Sequence, residues 1–173
     1  MIYKPENFIL DVDGVLTDGT FYYSKDGKIL KRFGPEDSDA LRRLRDLTNM
    51  TIEFVTADYR GYKISNSRCS HMGFKCTLVR NSFSRLEWLE KNFDLSKTIY
   101  MGDGLSDILS LSKAYYSISP NNAFDYVKKV SDYSTKTYGG RGAIAESCIK
   151  IYELFFKEGD ENVISMFTKK FDG

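Results

Sequence analysis

At 173 residues the chain has room for one well-buried core and little for a second. Its 25 basic side chains face 24 acidic ones, a net charge of +1 that offers no general field for nucleic acid or an anionic membrane surface. Neither is expected as a partner, no apolar run is long enough to cross a bilayer, and any anion must be recognised by a local site.

In chain order, the first element is a strand, Phe8-Ile9-Leu10-Asp11-Val12, that ends in carboxylates and then Gly14. A strand that stops on acids delivers them to the carboxyl edge of a sheet, where open α/β folds bind ligands. Phe21-Tyr22-Tyr23 and Ile29 to Phe33 flank Lys25-Asp26-Gly27, whose Asp-Gly step signals a projecting β-hairpin. A helix follows from about Asp37 or Ser38, either a suitable cap, with Leu41, Leu44 and Leu47 on one face.

Thr51 to Thr56 is the next sheet strand, and a helix from Tyr62 to Met72 stops before Gly73. A short strand around Thr77-Leu78-Val79 leads into a helix with Leu86, Leu89 and Phe93 on one face. Thr98 to Met101 repeats the opening pattern, an apolar strand running into Gly102-Asp103. Tyr115 to Ser119 is a further strand, and Ala145, Cys148, Ile149, Tyr152 and Phe156 form a helical stripe. Strands alternating with helices imply an α/β fold with a parallel sheet covered on both faces. After Lys157 the composition turns polar, although Val163, Ile164, Met166 and Phe167 could still dock.

Cys69, Cys76 and Cys148 form no Cys-x-x-Cys pair, and His71 is the single histidine, which leaves no zinc set. Lys4, Pro5, Glu6 and Asn7 interrupt any secretory apolar run near the start, so reduced thiols in a cytoplasmic protein are expected.

The chemistry concentrates in Asp11-Val12-Asp13-Gly14-Val15-Leu16-Thr17-Asp18-Gly19. Residues two apart on a strand share a face, but Gly14 turns the chain, so the two carboxylates need not be equivalent. One can attack as a nucleophile while the other moves protons, protonating a leaving oxygen and then activating water. Close carboxylates also invite a hard divalent cation. Magnesium takes oxygen ligands, which Asp11, the Asp13 backbone carbonyl and Asp103 could supply, with Asp107 a turn beyond Asp103 facing the same place. Thr56 ends a third strand, so its hydroxyl and the N–H of Ala57 can hold a phosphoryl oxygen. For Thr56, Asp107 and Arg141 the ordinary readings are a β-branched strand residue, a helix cap and a residue in a glycine turn.

Taken together, Asp-x-Asp-Gly-Val-Leu-Thr-Asp-Gly, a later strand-ending Thr and Gly-Asp-x-x-x-Asp resemble the haloacid dehalogenase superfamily. The detail is most similar to its small capless phosphatases, the 3-deoxy-D-manno-octulosonate 8-phosphate phosphatase group and relatives acting on nonulosonate 9-phosphates. The hairpin, Arg68 before Gly73, and Tyr138-Gly139-Gly140-Arg141-Gly142-Ala143 leading to Glu146 belong to the same resemblance. It implies a Rossmann-like three-layer fold without a large cap, a magnesium cofactor, a small phosphorylated sugar acid as substrate, and a homotetramer associating through its hairpins. It also implies catalytic roles for Asp11, Asp13 and Thr56, metal ligation by Asp11, Asp13, Asp103 and Asp107, and substrate contacts from Gly14, Ala57, Asp58, Arg68 and Arg141. One phosphatase domain would span residues 1–157, with a hairpin flap at about 20–33 and a polar tail over 158–173.

Three departures stand out. The superfamily's lysine before Gly-Asp is missing from Arg80-Asn81-Ser82-Phe83-Ser84-Arg85, so Arg85 is its expected substitute, with Arg80 and Lys63 as alternatives. Thr56-Ala57-Asp58-Tyr59-Arg60-Gly61 replaces a shorter Thr-Gly-Arg, and Gly34 to Asp39 replaces an Asn-x-x-Asp-Gly pattern. A non-catalytic module that partners a sugar nucleotidyltransferase stays open as an alternative, favoured by the missing lysine and opposed by the intact aspartates. A phosphomutase would need a cap to exclude water, and no insertion is large enough for one.

Overall fold

The computed structural model describes residues 4–159 and 164–168. Six strands, β1 (Asn7–Asp11), β4 (Thr51–Thr56), β5 (Lys75–Leu78), β6 (Thr98–Met101), β7 (Tyr116–Ser119) and β8 (Tyr133–Ser134), form one sheet in the order β5-β4-β1-β6-β7-β8. All neighbours are parallel. The alternation of strand and helix read from the sequence thus closes as a parallel sheet, with β1 at its centre between β4 and β6.

β1 shows why it is central. Phe8, Ile9 and Leu10 are fully buried, which requires cover on both faces of the sheet. Phe8 and Leu10 point to one layer with Phe54, Leu41 and Leu44 of α1 (Glu36–Thr48), Met72 of α2 (Tyr62–Met72), and Ile144 and Cys148 of α6 (Ala143–Ile151). Ile9 points to the other with Val55, Tyr100, Leu89 of α3 (Ser82–Asn92), Leu111 of α4 (Ile108–Lys113) and Val127 of α5 (Asp125–Val130). Each fully buried side chain of this kind stabilises the fold by about 1.5–3 kcal/mol before conformational entropy is counted.

The hairpin of β2 (Thr17–Ser24) and β3 (Gly27–Phe33) forms a separate antiparallel pair, closing through Lys25-Asp26 with Ser24 opposite Gly27. β4, α2 and β6 have the bounds expected from sequence, while β5 and β7 are displaced by one or two residues. Two expectations need correction. Helix α1 begins at Glu36 without a side-chain cap, and Asp37, inside its first turn, is buried and accepts the Ala145 N–H of α6 at 3.1 Å. In α3 the buried residues are Arg85 and Leu89, with Leu86 only half-buried.

Beyond Lys157, Met166 of α7 (Ser165–Thr168) is fully buried against α1, and its carbonyl accepts from Arg43, so part of the polar end does dock. Val163 lies outside the described residues. Cys69, Cys76 and Cys148 are free and buried, and no helix among the described residues is long and apolar enough to cross a membrane.

Candidate active site

Asp11 closes β1, Thr56 closes β4, and Asp103 follows β6, so three adjacent strand ends deliver polar groups to one edge. Past Asp11 the chain turns tightly, with the Val12 carbonyl accepting the N–H groups of Leu16 at 2.9 Å and Thr17 at 3.0 Å. Gly14 has φ +86°, and a Cβ there would lie 1.9 Å from Asp103 Oδ2. The glycine run read from the sequence packs on this turn: a Cβ on Gly139 would lie 1.9 Å from the Gly14 carbonyl. Asn122 clamps the two together, donating to Gly14 O at 2.8 Å and accepting the Gly139 N–H at 2.7 Å.

Oxygens of Asp11, Asp103 and Asp107 all lie within 4.8 Å of one another. Asp107 is fully buried; its carboxylate accepts the Gly104 N–H at 3.0 Å and the Tyr100 hydroxyl at 2.8 Å, and it ion-pairs with Arg85. Arg85 also reaches the Tyr100 hydroxyl at 3.1 Å and stands 3.7 Å from Asp11 Oδ1. One guanidinium facing three carboxylates leaves the cluster short of positive charge. Burial, and after it the Asp107 charge, therefore push Asp11 well above the usual carboxylate range and Asp103 up to about 7. An all-oxygen donor set with excess negative charge fits a hard cation such as magnesium.

A pH dependence follows. A carboxyl whose folded-state pKa is raised holds its proton more tightly folded than unfolded, so the metal-free protein should lose stability as pH rises from about 4 through about 7. A cation competes with those protons, so the thermal stabilisation given by magnesium should be larger at about pH 8 than at about pH 6. Melting curves with magnesium and with chelator at both pH values would check this; a larger shift at the acidic pH would contradict it.

Asp13 has a different set of partners. Its carboxylate is 2.7 and 2.9 Å from Lys31 Nζ and 3.4 Å from the Thr56 hydroxyl, and its side chain is not in the acidic trio. The inequivalence expected of the two aspartates is therefore built in by their partners. Lys31, from β3, also contacts Asp58 at 2.8 Å and the Ser65 hydroxyl at 2.8 Å. Lys28 adds a second ion pair to Asp58 at 2.7 Å and sits 4.0 Å above the Phe21 ring. These lysines hold the Asp58 carboxyl down at about 2.

A cleft of about 310 Å³ is lined by Asp11, Asp13, Gly19, Phe21, Lys28, Thr56, Ala57, Asp58, Arg85 and Asp103, among others. Of the three candidate cations, Arg85 is in the cleft, whereas Arg80 is exposed over the Tyr59 ring and Lys63 is exposed on α2. Arg85 does not lie on a solvated helix face. Arg68 is not brought to the cleft: its guanidinium lies 6.0 Å from the Phe33 ring and 3.5 Å from the Gly34 carbonyl. Arg141 lines a separate hollow with Asp18, Thr20, Tyr138 and Gly139. Lys28, Lys31, Tyr100 and Asn122 were not singled out by sequence reasoning, because each acquires its place only through contacts distant in the chain.

A family model described as haloacid dehalogenase-like hydrolase matches residues 84–147. The chain is 34% identical over 156 residues to the 3-deoxy-D-manno-octulosonate 8-phosphate phosphatase of Escherichia coli (strain K12), covering 86% of this chain and 81% of that one. It is 32% identical over 146 residues to the enzyme of the same name from Haemophilus influenzae, covering 80% and 77%. Among solved structures, the Moraxella catarrhalis 3-deoxy-D-manno-octulosonate 8-phosphate phosphatase, in complex with magnesium, phosphate and KDO, superposes with a TM-score of 0.75 at 27% identity over 86% of each chain. The cobalt-bound Haemophilus influenzae protein shares the fold, with a TM-score of 0.79 at 24% identity, covering 96% of this chain and 98% of that one. With its acidic trio and capless parallel sheet, the chain belongs to the haloacid dehalogenase-like hydrolases, in the family of these relatives, and is a magnesium-dependent phosphatase.

Proposed function

We propose that the chain hydrolyses the phosphomonoester of a small acidic sugar, of the 3-deoxy-D-manno-octulosonate 8-phosphate or nonulosonate 9-phosphate type. The observation carrying this reading is the division of labour between Asp11, among the acidic trio and Arg85, and Asp13, whose carboxylate is paired with Lys31. The names of the relatives supply the substrate class.

Asp11 attacks phosphorus with a carboxylate oxygen, the bond from phosphorus to the sugar oxygen breaks, and Asp13 gives that oxygen its proton. Water then attacks the aspartyl-phosphate, its proton passes to Asp13, and the bond from Asp11 to phosphorus breaks, releasing inorganic phosphate. Asp11, Asp103 and Asp107, with the Asp13 carbonyl, would hold magnesium, which when bound neutralises phosphate charge that the aspartates would otherwise repel. Arg85 stands in for the superfamily's lysine, Thr56 and Ala57 hold a phosphoryl oxygen, and Gly14 keeps the loop close to Asp103. Asp58, Arg68 and Arg141 are the candidate contacts for the sugar body. Since Arg68 and Arg141 lie outside the cleft of one protomer, their contribution would come through assembly or movement.

Residues 1–157 would form the catalytic unit and 158–173 an appendage, working in the cytoplasm as a homotetramer. Support for assembly through the hairpin comes from its exposed Phe21, Tyr22, Tyr23, Ile29 and Leu30, an apolar cluster that a monomer would leave in water. Tyr22→Glu with Leu30→Glu should yield a smaller species by sedimentation; an unchanged mass would argue against this interface. The substrate class is tested by kcat/KM across phosphomonoesters: eight- or nine-carbon keto-acid phosphates should exceed neutral hexose phosphates by about 10²-fold or more, since a built polar site rejects analogues lacking its partner group. Equal values would remove the acidic sugar from the proposal.

A further inference from the structure

We infer that Lys31 is a positioning residue for the reaction, fixing the Asp13 carboxyl group where, protonated, it gives its proton to the leaving oxygen and, ionised, takes one back from water. The inference rests on the reading of Asp13 as acid/base given above. Lys31 lies on β3 of the hairpin, 18 residues from Asp13, and its side chain is fully buried. An ammonium has three N–H donors, and here they meet three groups from three elements: Asp13 at 2.7 Å, Asp58 at 2.8 Å and the Ser65 hydroxyl of α2 at 2.8 Å. With every donor engaged, the ammonium has no freedom left, and neither has the carboxylate it holds through both oxygens.

The position that results matters for the chemistry. Asp13 lines the cleft beside Thr56, and its carboxylate is not one of the trio of Asp11, Asp103 and Asp107. A carboxylate two residues from Asp11 and beside an acidic, cation-seeking cluster has two uses open to it, metal ligand or proton donor. Lys31 selects the second by engaging both oxygens of the side chain, which leaves neither free for a cation. Asp58 supplies the charge balance: its carboxylate lies between Lys28 and Lys31, so two lysines face two aspartates. Because both lysines belong to the hairpin, the same contacts tie that projecting element to the acid/base.

A merely structural ion pair would lower all activities together, whereas a positioning role depends on the leaving group. In the first displacement the bond from phosphorus to the ester oxygen breaks as Asp11 bonds to phosphorus, and a primary alkoxide leaves only with a proton from Asp13. Nitrophenolate leaves without one. kcat/KM reports this displacement and is insensitive to later hydrolysis of the aspartyl-phosphate, and the ratio between two substrates is independent of the folded fraction.

The experiment measures kcat/KM of Lys31→Met, Lys31→Gln and Asp13→Asn on 3-deoxy-D-manno-octulosonate 8-phosphate and on p-nitrophenyl phosphate, with saturating magnesium. Lys31→Gln keeps an N–H donor for Asp58 and Ser65 should Lys31→Met fold poorly. The expected result is a loss of about 10²-fold or more on the alkyl ester and less than about 10-fold on the aryl ester for all three proteins. If Asp13→Asn shows this selectivity and the Lys31 variants lose both activities equally, or neither, the positioning role is overturned and the acid/base reading stands. If Asp13→Asn itself shows no selectivity, that reading falls and the inference falls with it.

Discussion

Asp11→Asn is expected to lower turnover by about 10⁴-fold or more, because the amide keeps the shape of the side chain and removes the attacking oxygen. The same change should raise the melting temperature of the metal-free protein. Burial first, and then the Asp107 and Asp103 charges, push the Asp11 carboxyl up, so its ionised form costs stability that an amide does not. Activity and stability then move in opposite directions, which separates loss of the nucleophile from loss of the fold. Hydrolysis surviving in pure Asp11→Asn protein would contradict the covalent mechanism.

Arg85→Met is expected to have the second largest effect, and on both properties in the same direction. Arg85 is 2% exposed and is the cation among Asp11, Asp107 and Tyr100. Removing one partner of a buried pair leaves an uncompensated charge and typically costs about 3–5 kcal/mol. Turnover should fall by about 10²-fold or more, on the scale of losing one electrostatic donor at a transition state. Magnesium should restore part of the stability, since it supplies positive charge to the same carboxylates. Arg85→Lys should recover less than full activity, because a point charge cannot reach Asp107, Tyr100 and Asp11 together as the planar fork does. Near-normal activity and stability in Arg85→Met would show that the arginine only fills space.

Much of this was legible in the sequence because it is local. Alternating apolar strands and helical stripes fixed the layers, the Asp-Gly step located the hairpin, and strand ends carrying Asp11, Thr56 and Asp103 converge because parallel strands share one carboxyl edge. What was not legible depends on contacts across the fold. Asp37 looks like a cap, but the start of α6 claims its carboxylate; burial pushes that group up to about 6 despite the N–H bonds it accepts. Arg85 sits in a helix pattern that places it equally well in water, and only the unbalanced acids draw it inside. Lys31 alternates with exposed neighbours on a hairpin strand, and nothing nearby in the chain announces that Asp13, Asp58 and Ser65 await it. Arg68 and Arg141, carried by resemblance, do not reach the cleft: Arg68 lies by the Phe33 ring and Arg141 lines a separate hollow.

The most direct test of the account is phosphate release from 3-deoxy-D-manno-octulosonate 8-phosphate by the purified chain, measured with magnesium, after chelation, and after magnesium is restored. The account predicts multiple turnovers with magnesium, their loss on chelation and their return with the metal. Folded, magnesium-loaded protein that released no phosphate from this ester or its nine-carbon counterpart, or that released it equally in chelator, would contradict it.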